Sequence, residues 1–196
     1  ARLRQKAVDA GRPASSIKVV NGASFIIADT EEEAQRLRAE LNSTATREAT
    51  AALFLGWSGV DLAQLDPEAT LDDVSTEVGH TMLAMWRNPD GTSPTIGEIL
   101  DSLPSTFGGM KFTGTVTSVA DQVEAFVAET DVDGFLVENW YGGIEGYTEF
   151  TGQLMPELRR RGLLPETPRT GTLREMLTDA DGPRLPDWHP AARYRR

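Results

Sequence analysis

Residues 112 to 137, FTGTVTSVADQVEAFVAETDVDGFLV, leave the chain little choice of architecture, because they read as one strand–helix–strand unit. Phe112 to Thr115 is a short strand ending in a Gly-Thr turn. Thr117 or Ser118 is placed to cap the next helix by accepting a hydrogen bond from a free amide of its first turn. Val119, Val123, Phe126 and Val127 then fall at i, i+4, i+7 and i+8, a single apolar helical stripe. Asp131 to Gly134 turns the chain back, and Phe135-Leu136-Val137 is an apolar run of the kind a parallel sheet buries on both faces. Such a crossover belongs to α/β architecture, in which chemistry sits at the carboxyl ends of the strands.

Composition narrows the function. The 196 residues suffice for a domain with a real core. A formal charge of −11 argues against nucleic acid or an acidic membrane as partner, since both require a basic footprint. Without cysteine there is no disulfide, thiolate metal site or cysteine nucleophile, and the composition suits a reducing cytoplasm. No apolar run approaches a membrane span, and ARLRQKAVDAGRP has no apolar core of a signal peptide. Residues 1 to 10 read as the back half of an amphipathic helix, stopped by Gly11 with Pro13 just beyond. With no strand ahead of that helix, the chain is expected to be a carboxyl-terminal portion of something longer.

Ile17 to Ile27, IKVVNGASFII, reads as a buried strand interrupted at Asn21-Gly22, with Gly22 marking a bulge in preference to a close approach. Thr30 with Glu33 forms a capping box, and Ala34, Leu37 and Leu41 give the following helix its apolar stripe. Ser43 to Met110 breaks the strand–helix rhythm with a mostly helical insertion. Within it, Ala45 to Leu55 is expected to be a helix ending near Gly56, and Trp57 to Thr70 to be irregular. Leu71 to Arg87 is expected to be helical, with Val74, Val78, Met82 and Met85 at helical spacing. Asn88 to Gly91 is a turn, and Thr95 with Glu98 a second capping box opening a helix to about Leu103. Beyond Val137, Phe150, Leu154 and Leu158 stack along a helix that Pro156 either kinks or restarts. The expected organisation is therefore a barrel portion over residues 1–164 with a helical insertion at 43–110. Residues 165–196 would be a surface-running tail with a short helix at Thr172 to Leu177.

Seven pieces carry a family resemblance in a fixed order: GRPASSIKVVNG (Gly11 to Gly22), ADTEEEA (Ala28 to Ala34), GWSGVDLAQLD (Gly56 to Asp66), FTGTVTSVADQVEAF (Phe112 to Phe126), DGF (Asp133 to Phe135), MPELRRRGLL (Met155 to Leu164) and TLREML (Thr172 to Leu177). Together they resemble the bacterial-luciferase-like flavin monooxygenases, in the branch containing nitrilotriacetate, EDTA and dibenzothiophene-sulfone monooxygenases. The resemblance implies a (β/α)₈ TIM barrel to which this chain contributes about strands six to eight, since a whole barrel needs about 250 residues. It also implies a two-component enzyme. A flavin reductase would supply reduced FMN, which with O₂ oxygenates a small organic substrate in a protein that is commonly a homo-oligomer. A deazaflavin (F420)-dependent oxidoreductase on the same barrel is the nearest alternative. In such families the phosphate loop and most flavin contacts come from earlier strands, so no catalytic or cofactor-binding residue transfers onto this chain.

Some positions are nonetheless candidates. Asn139, Trp140 and Tyr141 stand where the last strand opens onto the active face of a barrel, where an aromatic pair can wall a flavin or substrate pocket. Trp57 and Asp61 lie in the insertion, where a lid over substrate is the functional reading and an anchor for irregular backbone the plain one. His80 has no second ligand at metal spacing, and His189 sits among Pro and Arg, so no metal site is expected. Glu31-Glu32-Glu33 reads as a helix amino terminus answering the dipole, and Arg159-Arg160-Arg161 as its carboxyl-end counterpart. A second class of function remains open: a non-catalytic half-barrel subunit or degenerate flavin-binding protein, whose open sheet edges another polypeptide would pair.

Overall fold

The computed structural model describes residues 2–74, 80–88, 90–106, 109–138, 142–177 and 182–194. The chain divides into two compact units, one made of Ala1–Ala34 with Gly109–Arg196 and the other of Gln35–Gly108. Among the described residues no helix is long and apolar enough to cross a membrane.

In the first unit, α1 (Arg2–Asp9) stops at Gly11, whose φ of 72° is the left-handed conformation that a stop needs. Strand β1 (Val20–Ile27) follows, then the first turn of α2 (Glu31–Ser43), the rest of which counts with the second unit; its start is capped by the Thr30 hydroxyl accepting from the Glu33 amide at 3.2 Å. After the second unit the chain returns through β2 (Met110–Gly114), a crossover helix (Val116–Thr130) and a last strand (Gly134–Val137). All strand pairs are parallel, and β1 lies in the middle of the sheet. Barrel numbering in chain order would put the second of the three strands there. The eight-residue β1 instead serves both neighbours in turn. Its first half pairs with the last strand, Val20 opposite Gly134 and Ala23 opposite Val137; its second half pairs with β2, Ala23 opposite Met110 and Ile27 opposite Gly114.

Three expectations are corrected here. The strand starts at Val20, and its register runs through Asn21 and Gly22 without a skipped residue, so Gly22 makes no bulge. The helix cap is Thr115, which accepts from the Ser118 amide at 3.3 Å, and not Thr117 or Ser118. Leu136 is 62 % exposed, so the last strand is not buried on both faces. Alternation explains the third point. Ala23, Ile27, Phe112 and Phe135 share the face that packs on Val119, Val123, Leu154 and Leu158. Val20, Gly22, Ser24, Lys111, Thr113 and Leu136 share the opposite face, which is exposed at Val20 and Leu136 and buried at Ser24 and Thr113.

The second unit contains α3 (Arg47–Ser58), α4 (His80–Met85) and α5 (Ile96–Thr106), with two short 3₁₀ turns between α3 and α4. Helix α3 runs through Gly56 and stops at Gly59, with φ of 71° and its amide bonded to the Leu55 carbonyl, so Trp57 lies in the last turn of a helix. The expected helix from Leu71 is likewise corrected: Leu71–Asp73 is a 3₁₀ turn closed by the Thr70–Asp73 box, and Val74 is extended. Residues 75–79, with Val78, lie outside the described residues, and Met85 is exposed. The box at Thr95 and Glu98 forms in both directions, at 2.8 and 3.1 Å. Phe54, Leu62, Ile96, Ile99 and Leu103 make the core of this unit.

Beyond the sheet, in the first unit, the crossover helix is α6 (Val116–Thr130) and the last strand β3 (Gly134–Val137). Then come α7 (Gly143–Glu149), a π turn (Phe150–Leu154), α8 (Met155–Arg160) and α9 (Leu173–Leu177). Pro156 opens α8 and has no amide to give, and in the turn before it the Met155 amide reaches five residues back to the Phe150 carbonyl.

Candidate functional site

The carboxyl ends of parallel strands gather backbone amides and side chains that no ladder uses, which is why sites form there. In this sheet that end is built from Ala28 to Glu31, from Thr113 to Ser118 and from Glu138. Glu31 is the key group. Its Oε1 accepts from the Thr115 amide at 2.9 Å and from the Thr115 hydroxyl at 3.0 Å, across 84 residues of chain. The Thr115 amide is the main reason its carboxyl is held below the ordinary value; lost hydration opposes this, and the hydroxyls of Thr115 and Ser118 add to it. Glu31 thus begins α2 while satisfying the amino terminus of α6. Gly114 makes room for it: at φ of 151°, a Cβ there would stand 2.7 Å from Glu31 Oε2 and 2.8 Å from Ser118 Oγ.

Gln122, one turn further along α6, completes this corner. Its amide donates to the Thr113 carbonyl at 2.9 Å and to Ser118 Oγ at 3.2 Å, and its oxygen accepts from the Thr113 amide at 3.4 Å. One side chain therefore covers outward backbone groups of β2 as a neighbouring strand would. On the far side of β1, the Glu138 amide donates to the Ala23 carbonyl at 2.8 Å, and its carboxylate lies over Gly22, 3.0 Å from where a Cβ would stand. Gly109 also presses on Gly22: a Cβ on Gly109 would fall 2.1 Å from the Gly22 carbonyl oxygen. Gly22 is thus a place of close approach.

Asn139, Trp140 and Tyr141, expected to wall the pocket, lie outside the described residues; they follow directly on Glu138. Trp57 and Asp61 belong to the second unit. Trp57 is 40 % exposed at the end of α3, beside the buried Ser58, whose hydroxyl donates to the Phe54 carbonyl and accepts from the Val60 amide. The Asp61 carboxylate accepts from the Ala63 amide at 3.1 Å and caps a 3₁₀ turn. His80 begins α4, and His189 Nδ1 accepts from the Ala191 amide. Among the described residues no group of three or more His, Cys, Asp or Glu could hold a metal ion. Glu31, Gln122 and Glu138 were not legible as site residues. Glu31 carries one faint signal, a Gly-Thr-x-Thr-Ser turn elsewhere in the chain that needs an anion.

The amino terminus of α6 is the natural place here for a phosphate, and the residues present do not fit one. The Thr115 amide and hydroxyl already serve Glu31, and the Ser118 amide serves Thr115, so a phosphate would meet the Glu31 carboxylate head-on. A flavin phosphate is therefore not held at this corner.

No family model matches the chain. It is 32 % identical over 195 residues to the dimethyl-sulfide monooxygenase of Hyphomicrobium sulfonivorans, covering 98 % of this chain and 40 % of that protein. It is 30 % identical over 197 residues to the long-chain alkane monooxygenase of Geobacillus thermodenitrificans, with the same two coverages of 98 % and 40 %. Among solved structures, a riboflavin lyase with modified FMN and the substrate riboflavin superposes with a TM-score of 0.86 at 31 % identity, over 100 % of this chain and 42 % of the other. A long-chain alkane monooxygenase superposes with a TM-score of 0.78 at 27 % identity, over 99 % and 40 %. The chain spans about two fifths of the length of the curated relatives it matches. Sequence and fold agree, and the chain belongs to the bacterial-luciferase-like flavin monooxygenases as part of their (β/α)₈ barrel.

Proposed function

We propose that the protein containing this chain is the oxygenase component of a two-component FMN-dependent monooxygenase. A partner reductase supplies reduced FMN in a reducing cytoplasm, and a small organic molecule is oxygenated at the expense of O₂. The observation that supports this most is the likeness to two monooxygenases, each along 98 % of the chain. When bound, the flavin supplies the oxygen-activating chemistry. This chain supplies a parallel sheet with a closed carboxyl-end corner; it leaves the flavin phosphate to other parts of the barrel. Asn139, Trp140 and Tyr141 remain the pocket-wall candidates, and Trp57 with Asp61 the lid candidates.

The test uses the full-length protein with a flavin reductase, FMN and NADH, and follows O₂ uptake and product. Dimethyl sulfide and a long-chain alkane are the first substrates to try, because relatives are named for them. Riboflavin is the third, since the superposing lyase carries it as substrate. Coupled O₂ consumption with one of them is the expected result. A protein that neither binds reduced FMN nor consumes it ends this reading, and reconstitution with F420 instead would move it to the deazaflavin branch.

A further inference from the structure

Strand β3 ends at Val137, yet Glu138 extends its ladder by one bond, donating its amide to the Ala23 carbonyl at 2.8 Å. Ala23, packed under the helices, stands opposite Val137, so Glu138 falls beside Ser24 on the other face of the sheet. Its carboxylate lies over that face as well, with Oε1 3.0 Å from where a Cβ on Gly22 would stand. Helices ring the outside of a (β/α)₈ barrel, and this face is the one without them, so Glu138 points into the barrel. It does so at the carboxyl end of a strand, the end at which such barrels bind their ligands. Ser24 is 3 % exposed and Glu138 half-buried, so the carboxylate and not the hydroxyl meets the interior. Lys111, paired with Ser24 on its far side, stands two strands from Glu138, about 10 Å between backbones.

We propose that Glu138 is a ligand-binding residue of the barrel's pocket, accepting a hydrogen bond from an N–H or O–H group of what the pocket holds. This rests on the oxygenase reading and adds to it the class of ligand, one that carries a donor. A carboxylate only accepts, and its two oxygens offer about four lone-pair positions, so a bond within the protein leaves others for a ligand. Gly22 is the second observation, because a side chain there would push the carboxylate from its seat. The donor belongs either to the flavin or to the substrate, and the chemistry asked of Glu138 is the same.

The experiment uses the full-length protein, as wild type and with Glu138→Leu or Gly22→Ala, each first checked by thermal unfolding. One arm measures affinity for reduced FMN without oxygen. The other compares kcat/KM for 2-(methylthio)ethanol, which has a hydroxyl, with that for dimethyl sulfide, which has no donor. With the flavin as donor, Glu138→Leu weakens reduced-FMN binding about tenfold or more, the worth of a hydrogen bond to a charged group. With the substrate as donor, flavin binding holds and the ratio of the two kcat/KM values falls by about that factor instead. Gly22→Ala keeps the carboxylate but displaces it; it should move the same quantity in the same direction, and it serves where Glu138→Leu does not fold. Flavin affinity and ratio both within about twofold of wild type, the scatter of an uninvolved surface change, overturn the proposal. Turnover of neither thioether counts against the oxygenase reading and leaves the flavin arm to decide this one. A wild type that binds no reduced FMN ends both.

Discussion

Gly109 has little freedom to change. Its φ of 73° and the Gly22 carbonyl at 2.1 Å from a would-be Cβ exclude any side chain. Gly109→Ala should cost at least about 2 kcal/mol, since backbone strain and a clash against a strand add; chemical denaturation measures it. Glu157 is held at about 2 by Arg160 first and Arg161 second. Its bonds to Arg160 Nε and Arg161 Nε are both 2.7 Å. A carboxyl depressed in the folded state stabilises fully above its ordinary value and loses that contribution as pH falls through the folded one. Denaturation midpoints should therefore fall as pH drops from 4.5 toward about 2, and Glu157→Gln should flatten that part of the profile. Glu31, also depressed, adds to the same acid-side loss. Glu31→Gln should remove its share without touching that of Glu157. These partnerships resist sequence reading because Glu31 and Thr115 are 84 residues apart.

At the scale of elements, local chemistry was legible where one residue had no rival. Gly11 as a stop, the Thr30 cap and the box at Thr95 needed nothing beyond their neighbours. The cap of α6 had rivals, since Thr115, Thr117 and Ser118 all carry a hydroxyl. Pairing decided among them: Gly114 is held opposite Ile27, so the helix starts two residues later, at Val116, and Thr115 becomes its cap. Thr115→Ala should cost about 1 kcal/mol for the cap and release Glu31 as well; Ser118→Ala should cost less. Thermal unfolding of the two variants ranks them. Helix α3 makes the same point at its other end, where Gly56 and Gly59 competed as stops. Gly59 won by taking the left-handed conformation and bonding back to Leu55.

Over the whole molecule, the two compact units have separate cores. Phe54 is fully buried in the unit of residues 35–108, so Phe54→Ala should cost about 3–5 kcal/mol there. Hydrogen exchange should then quicken around Ile96, Ile99 and Leu103, while Val119, Val123 and Leu154 keep their protection. Equal loosening of both cores would show that they unfold as one. The parallel α/β class and the crossover from β2 to β3 were readable from the residues, because periodicity and turn chemistry act within a few positions along the chain. The mid-sheet place of β1, the bare side chain of Leu136, the close fit of Gly22 with Gly109 and the Glu31 clasp were not readable. Each depends on which distant segment arrives as neighbour, and local preferences carry no record of that; only the assembled register of the sheet does.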